Sequence, residues 1–128
     1  MKLKDINENT YKIIGAAIAV HNYLGCGFLE AVYQEALEIE FLNQKIFFQR
    51  ELMLPIYYNQ VQLKTFYKSD FVCYKNIIVE IKAVKNLTTV HESQVINYLK
   101  SSGLNVGLLI NFGDTKLQYK RLAHKLIE

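Results

Sequence analysis

The chain has 128 residues, about the length of one ordinary domain. Hydrophobic residues make up 51% of it and there is one proline, which suits a packed core and argues against long linkers or disorder. Fifteen basic residues against twelve acidic ones leave +3, a mild bias that permits a nucleic-acid partner without requiring one.

The N-terminus, MKLKDINENTYK, is polar, and the longest apolar run, Ile13 to Val20, is too short to cross a bilayer. Cys26 and Cys73 have no metal-like spacing and read as free thiols of a reducing compartment. A single soluble cytoplasmic domain over residues 1–128, with no membrane partner, is the expectation.

A first helix is predicted from about Ile6 to Leu24. Ile13, Ile14, Ala17, Ile18 and Val20 are spaced for a broad buried face. Gly25-Cys26-Gly27 stops it. A second helix is predicted from Phe28 to about Asn43, with Leu29, Val32, Tyr33, Ala36, Leu37 and Ile39 as its apolar face. Glu30 falls at the edge of that face, between Leu37 and Phe41. It is either a first-turn acid favoured by the helix dipole or a carboxylate aimed at a site on the sheet. Glu35, Glu38 and Glu40 read as solvated charge.

From Ile46 the period changes to that of strands. Phe47 to Leu54 and Ile56 to Tyr58 are predicted strand, Asn59-Gln60 a hairpin turn, and Val61 to Tyr67 the return. Pro55 suits an edge or a bulge. Tyr57, Tyr58, Tyr67 and Tyr74 read as ordinary sheet residues rather than base-stacking platforms.

The next pair, Asp70 to Tyr74 and Ile77 to Val84, sets charge in apolar strands. A three-residue connection, Tyr74-Lys75-Asn76, puts Asp70 opposite Glu80 and Phe71 opposite Val79. Asp70, Val72, Ile78, Glu80 and Lys82 then share one face, and Phe71, Cys73, Ile77, Val79 and Ile81 the other. A two-residue turn would split the charges between faces. Asn76 is the residue expected to take the left-handed conformation of that loop.

Thr88-Thr89 is predicted to cap a third helix that ends at Gly103. His91, Gln94 and Tyr98 share a stripe of it. Val106 to Ile110 reads as a strand covered on both faces, and Leu117 to Leu122 as a last strand or hairpin. Lys116, Lys120, Arg121 and Lys125 read as a solvated face, only suggestive of a phosphate-binding patch. His21, His91 and His124 are not spaced as a metal set. The order of elements gives a mixed α/β domain with helices against a central sheet.

Charged groups on core strands are costly to bury without a partner or a task. Asp70 and Glu80 can hold a hard divalent ion such as Mg²⁺ (or Mn²⁺), which needs only a few protein oxygens. The carbonyl of Ile81 can supply a third oxygen, and Glu30 can complete the outer shell through water. Lys82 projects from the same face and can orient or help deprotonate an attacking water. Gln94 can orient a water or contact a phosphate, and His91 can bind phosphate. This set points to a metal-dependent phosphodiesterase. The alternative is a cross-strand salt bridge on a half-exposed sheet face.

Several blocks together carry a resemblance. Gly27-Phe28-Leu29-Glu30-Ala31-Val32-Tyr33 reads G-x-x-E-x-x-Y, and SDFVCYKNIIVEIKAV, HESQVINYLKSSG and VGLLINFGDTKLQYKRL follow in order. From about Ile13 to Leu122 the chain closely resembles the GxxExxY protein family of the PD-(D/E)XK nuclease-like superfamily. That resemblance implies a restriction-endonuclease-like α/β core, a mixed central sheet flanked by helices. It matches Asp70 and Glu80 to the metal-binding acids, Lys82 to the catalytic lysine and Glu30 to the signature glutamate. Gln94 and Tyr98 match the Gln-x-x-x-Tyr pattern of the RecB-like branch. Ser69 stands where the family's proline would be. The expectation is a Mg²⁺-dependent nuclease with DNA the favoured substrate. The second reading is a non-catalytic module on the same fold, binding nucleic acid or protein. With little surface for reading sequence, specificity would come from DNA structure, a homodimer or a partner protein.

Overall fold

The computed structural model describes residues 2–125. Its elements run α1 (Leu3–Leu24), α2 (Glu30–Asn43), β1 (Phe48–Arg50), β2 (Met53–Tyr58), β3 (Val61–Lys68), β4 (Phe71–Cys73), β5 (Ile77–Lys82), α3 (Thr89–Ser102), β6 (Val106–Asn111) and β7 (Gln118–Ala123). A five-stranded sheet is ordered β1-β4-β5-β6-β7, and β2 and β3 form a separate ribbon. All pairs in the main sheet are antiparallel except β5 with β6, which α3 joins as a crossover.

Burial on both faces explains the apolar runs. One side of the sheet (Phe71, Cys73, Ile77, Val79, Ile81, Leu108, Ile110) packs on α1 and α2 through Ile13, Ala17, Tyr33, Leu37 and Phe41. The other side (Val72, Ile78, Leu109) packs on α3 through Val95 and Leu99. Every residue of β6 is buried, as its continuous apolar run predicts. Two glycines allow this closeness. A Cβ on Gly107 would stand 2.7 Å from Val95 Cγ1, under α3. A Cβ on Gly113 would stand 2.3 Å from the carbonyl oxygen of Val84, just past the end of β6. Asn111, fully buried, ties the same segment down: its amide donates to Val84 O (2.8 Å) and its Oδ1 accepts from Val84 N (2.9 Å).

The expected register holds. Phe71 pairs with Val79, Val72 with Ile78 and Cys73 with Ile77, and the two faces divide as the three-residue loop requires. The left-handed residues of that loop are Tyr74 (φ 54°) and Lys75 (φ 65°), not Asn76. Tyr74 N–H is committed to Phe47 O (2.9 Å), so the strand pairing forces the turn onto residues with a Cβ.

Other boundaries differ in ways packing explains. α1 begins at Leu3, extended by Ile6, which reaches the core. α2 begins at Glu30, not Phe28, and its buried stripe is narrow: Tyr33, Leu37 and Phe41. Leu29, Val32 and Ile39 of the expected apolar face are exposed, as is Ile18 on α1. Each helix meets the sheet on one side only, so the rest of a broad apolar wheel stays outside.

The run from Phe47 to Leu54 is not one strand. It breaks at Glu51, whose φ is 54°. The partner strand breaks opposite, at Ser69 and Asp70: Glu51 N–H donates to Asp70 O (3.0 Å) and Ser69 N–H to Leu52 O (3.0 Å). β1–β2 and β3–β4 are thus one long hairpin bent at Asp70. Its turn is Asn59-Gln60, both left-handed (φ 51° and 68°), without glycine. The irregularity expected at Pro55 lies between Pro55 and Tyr57.

Candidate active site

Asp70 sits at the bend, one residue before β4, and directly across from Glu80 by extension of the β4–β5 register. Its Oδ2 accepts the Ile81 N–H (2.7 Å), which fixes the carboxylate against β5. Glu80 lies on the α3 side of the sheet. The Tyr67 hydroxyl donates to its Oε2, and the Tyr67 ring stacks on Tyr98 of α3, with centroids 3.4 Å apart and planes 8° from parallel. Lys82 ends β5 two residues on, on the face of Glu80.

Both acids are raised chiefly by burial. Burial pushes the Glu80 carboxyl up to about 8, with Glu30 raising it further and Lys82 and the Asp70 N–H opposing. Burial also raises Asp70, against the Ile81 N–H and Lys82, with Glu30 and Glu51 adding to the rise. The charges of Glu30 on α2 and Lys82 on β5 therefore both act on Asp70 and Glu80. A divalent cation fits such a donor set: two desolvated carboxylates, a third nearby, and one lysine. Among the described residues no three His, Cys, Asp or Glu side chains close on a common point.

The G-x-x-E-x-x-Y stretch has a physical role in delivering Glu30. Gly27 has φ 107°, which only glycine takes readily. Tyr33 is fully buried and stacked on Phe112 (4.8 Å, 16°). Its hydroxyl donates to Gly25 O (2.7 Å) and accepts from Phe28 N–H (3.2 Å). The loop between the helices is thereby pinned, and Glu30 opens α2 facing the bend. One turn later Gln34 donates to Asp70 O (3.4 Å) and accepts from Arg50 Nη2 (3.4 Å), which locks that side of α2 to the same residue.

Tyr98 is near the acids: its hydroxyl is raised by burial first and by Glu80 second. Gln94, one turn earlier, is exposed, and no contact joins it to Asp70 or Glu80. His91 closes a capping box at the start of α3, its Nδ1 accepting Thr88 N–H (3.1 Å) while Thr88 Oγ1 accepts His91 N–H (3.4 Å). That bond holds the ring at the end of the helix, two turns from Tyr98. Two residues escaped the sequence reading. Glu51 faces Asp70 across the bend and Tyr67 holds Glu80. Tyr67 looked like one more strand tyrosine, although its place three residues before Asp70 is a usable signal.

A five-stranded mixed sheet flanked by helices, with acid, acid and lysine gathered where two central strands meet, is the framework of a metal-dependent nuclease fold. The chain belongs to the PD-(D/E)XK nuclease superfamily, whose profile matches residues 7–122. In fold it is similar to the crystal structure of SSO0001, with a TM-score of 0.59 at 18% identity. The alignment covers 76% of this chain and 50% of that one, so the match spans about half the length of that chain. No curated protein matches it.

Proposed function

We propose that this protein is a cytoplasmic Mg²⁺- or Mn²⁺-dependent nuclease, with DNA the favoured substrate, of the GxxExxY group within its superfamily. The observation that carries the reading is the gathering of Asp70, Glu80 and Lys82 on one sheet face, with the Asp70 carboxylate bonded to the Ile81 N–H and Glu30 of α2 close enough for its charge to act on both acids. The strap of Tyr33 across Gly25 and Phe28 supports the group assignment, since it gives each signature residue a task.

A bound divalent ion would neutralise charge on the scissile phosphate. Asp70, Glu80 and the Ile81 carbonyl would hold it, and Glu30 would steady its outer shell. Lys82 would orient the attacking water and meet the charge that develops on the phosphate oxygens. Tyr67 keeps Glu80 in place, and Tyr98 backs Tyr67. Water oxygen bonds to phosphorus, the bond to the leaving oxygen breaks, and that oxygen takes up a proton.

The test is incubation of the protein with plasmid, linear and single-stranded DNA and with RNA, in Mg²⁺, Mn²⁺ or EDTA, beside Lys82→Ala and Asp70→Ala. Cleavage should need the metal and fall at least about a hundredfold in both variants. Metal-independent cleavage, or full activity in Lys82→Ala, sinks the assignment. Binding without cleavage would favour the non-catalytic module.

A further inference from the structure

The two acids of the site already hold protein donors. The Tyr67 hydroxyl donates to Glu80 Oε2, and the Asp70 N–H bonds the same carboxylate. On Asp70, Oδ2 accepts the Ile81 N–H (2.7 Å). A carboxylate that turned both oxygens onto one ion would have to give up such a donor. The backbone offers one oxygen more. Lys82 O accepts the Phe112 N–H (2.9 Å) and so faces β6, which turns the N–H and carbonyl of Ile81 to the β4 side. The β4 ladder stops at Phe71 and Val79. Ser69, opposite Ile81 by the same register, gives its N–H to Leu52 O (3.0 Å) instead. The set left for an ion is thus one oxygen from each of three residues. Among the three donors that fix the acids, only Tyr67 is a side chain, and its surroundings keep it from swinging away. It is 8% exposed, β3 pairs it with Leu54, and its ring stacks on Tyr98 of α3.

We infer that Tyr67 sets the ion selectivity of this site: by holding Glu80 to one available oxygen it favours small octahedral ions, Mg²⁺ and Mn²⁺, over Ca²⁺. The inference rests on the reading of Asp70 and Glu80 as ion-holding acids, but ion binding itself needs no cleavage. Mg²⁺ is held by one or two carboxylates and keeps several waters. Ca²⁺ is larger and takes about six to eight oxygens, commonly with both oxygens of a carboxylate. Three single oxygens serve the smaller ion and leave the larger one under-coordinated. Tyr67 acts through Glu80 and is therefore a positioning residue, with Tyr98 supporting it from behind. Removing the hydroxyl alone leaves the ring and its stack in place and frees Glu80 to turn about its remaining bond to the Asp70 N–H.

The experiment is competition of Mg²⁺ and of Ca²⁺ for bound Mn²⁺ at pH 8, without nucleic acid, followed by the paramagnetic resonance signal of free Mn²⁺. The protein is compared with Tyr67→Phe, Tyr98→Leu and Asp70→Asn, each shown to be folded by a cooperative melt in EDTA. The parent should take Mg²⁺ in preference to Ca²⁺. Tyr67→Phe should shift the ratio of the two affinities toward Ca²⁺ by at least about tenfold. Tyr98→Leu should shift it the same way by less, and Asp70→Asn should lose both ions. A general loosening of the site would weaken both ions together and leave their ratio where it was. An unchanged ratio in Tyr67→Phe overturns the inference, as does a parent that prefers Ca²⁺ or full binding in Asp70→Asn. Should Tyr67→Phe not fold, an unchanged ratio in Tyr98→Leu overturns it equally. A parent that binds none of the three ions overturns both this inference and the metal-dependent reading. A ratio that shifts while neither DNA nor RNA is cut in Mg²⁺ keeps this inference and removes the nuclease reading. Cleavage with an unchanged ratio removes this inference alone.

Discussion

Glu80 is the residue on which charge, packing and chemistry converge. Its carboxyl is held up to about 8 by burial, against an ordinary 4.5. A raised acid binds more protons folded than unfolded, so its contribution to stability is complete below about 4.5. It is lost as pH rises through about 8. In EDTA the protein should therefore lose stability between pH 5 and pH 8, on the order of 2–4 kcal/mol, with Asp70 adding in the same direction. Thermal melts across that range check it, and Glu80→Gln should flatten the slope. A slope of opposite sign would mean that the lysine and the two backbone N–H groups outweigh burial.

At the level of elements, two local devices position the acids. The first is the Tyr33 strap, which holds the interhelix loop by two hydrogen bonds. Tyr33→Phe keeps the stack on Phe112 but removes both. It should cost about 1–2 kcal/mol in denaturant unfolding and, on the nuclease reading, lower cleavage by loosening Glu30. The second is the close approach of Gly113 to Val84 after β6. Gly113→Ala meets backbone, which cannot swing aside, and should destabilise by about 2–3 kcal/mol. Gly107→Ala meets only the Val95 side chain and should cost less, a ranking that the same unfolding curves test. The α3 cap is a third device, and the sequence showed half of it. Thr88 was legible as the cap. That the His91 ring would close the box depends on a ring orientation no spacing reveals.

For the whole molecule, the test of the site is linkage between metal and fold. An ion that binds only the folded chain stabilises it by mass action, about 2.7 kcal/mol at a hundredfold excess over the dissociation constant. Mg²⁺ should raise the melting temperature more at pH 8 than at pH 5, because protons and the ion compete for Asp70 and Glu80. Asp70→Asn should abolish the rise. No helix of the described residues is long and apolar enough to cross a membrane, so such melts need no detergent for the helices' sake.

What the sequence by itself determined is local and periodic. The faces of β4 and β5 follow from the two-residue period and the length of one loop, so Asp70, Glu80 and Lys82 could be grouped before any coordinates. The double burial of β6 follows from its unbroken apolar run, and the ends of α1 and α3 from Gly25 and Gly103. What only the tertiary structure decided is how far each wheel is covered and which distant residues meet. Leu29, Val32 and Ile39 are exposed because α2 packs on α1 and the sheet and no described element covers its outer side. Glu51 meets Asp70 because a strand pair bends there, at a left-handed residue that carries no glycine to announce it. Tyr67 reaches Glu80 because the ribbon folds against α3, where Tyr98 receives its ring. Periodicity specifies the direction a side chain takes from its own strand or helix. What it meets there depends on the docking of other elements, and that is set by the packing of the whole core.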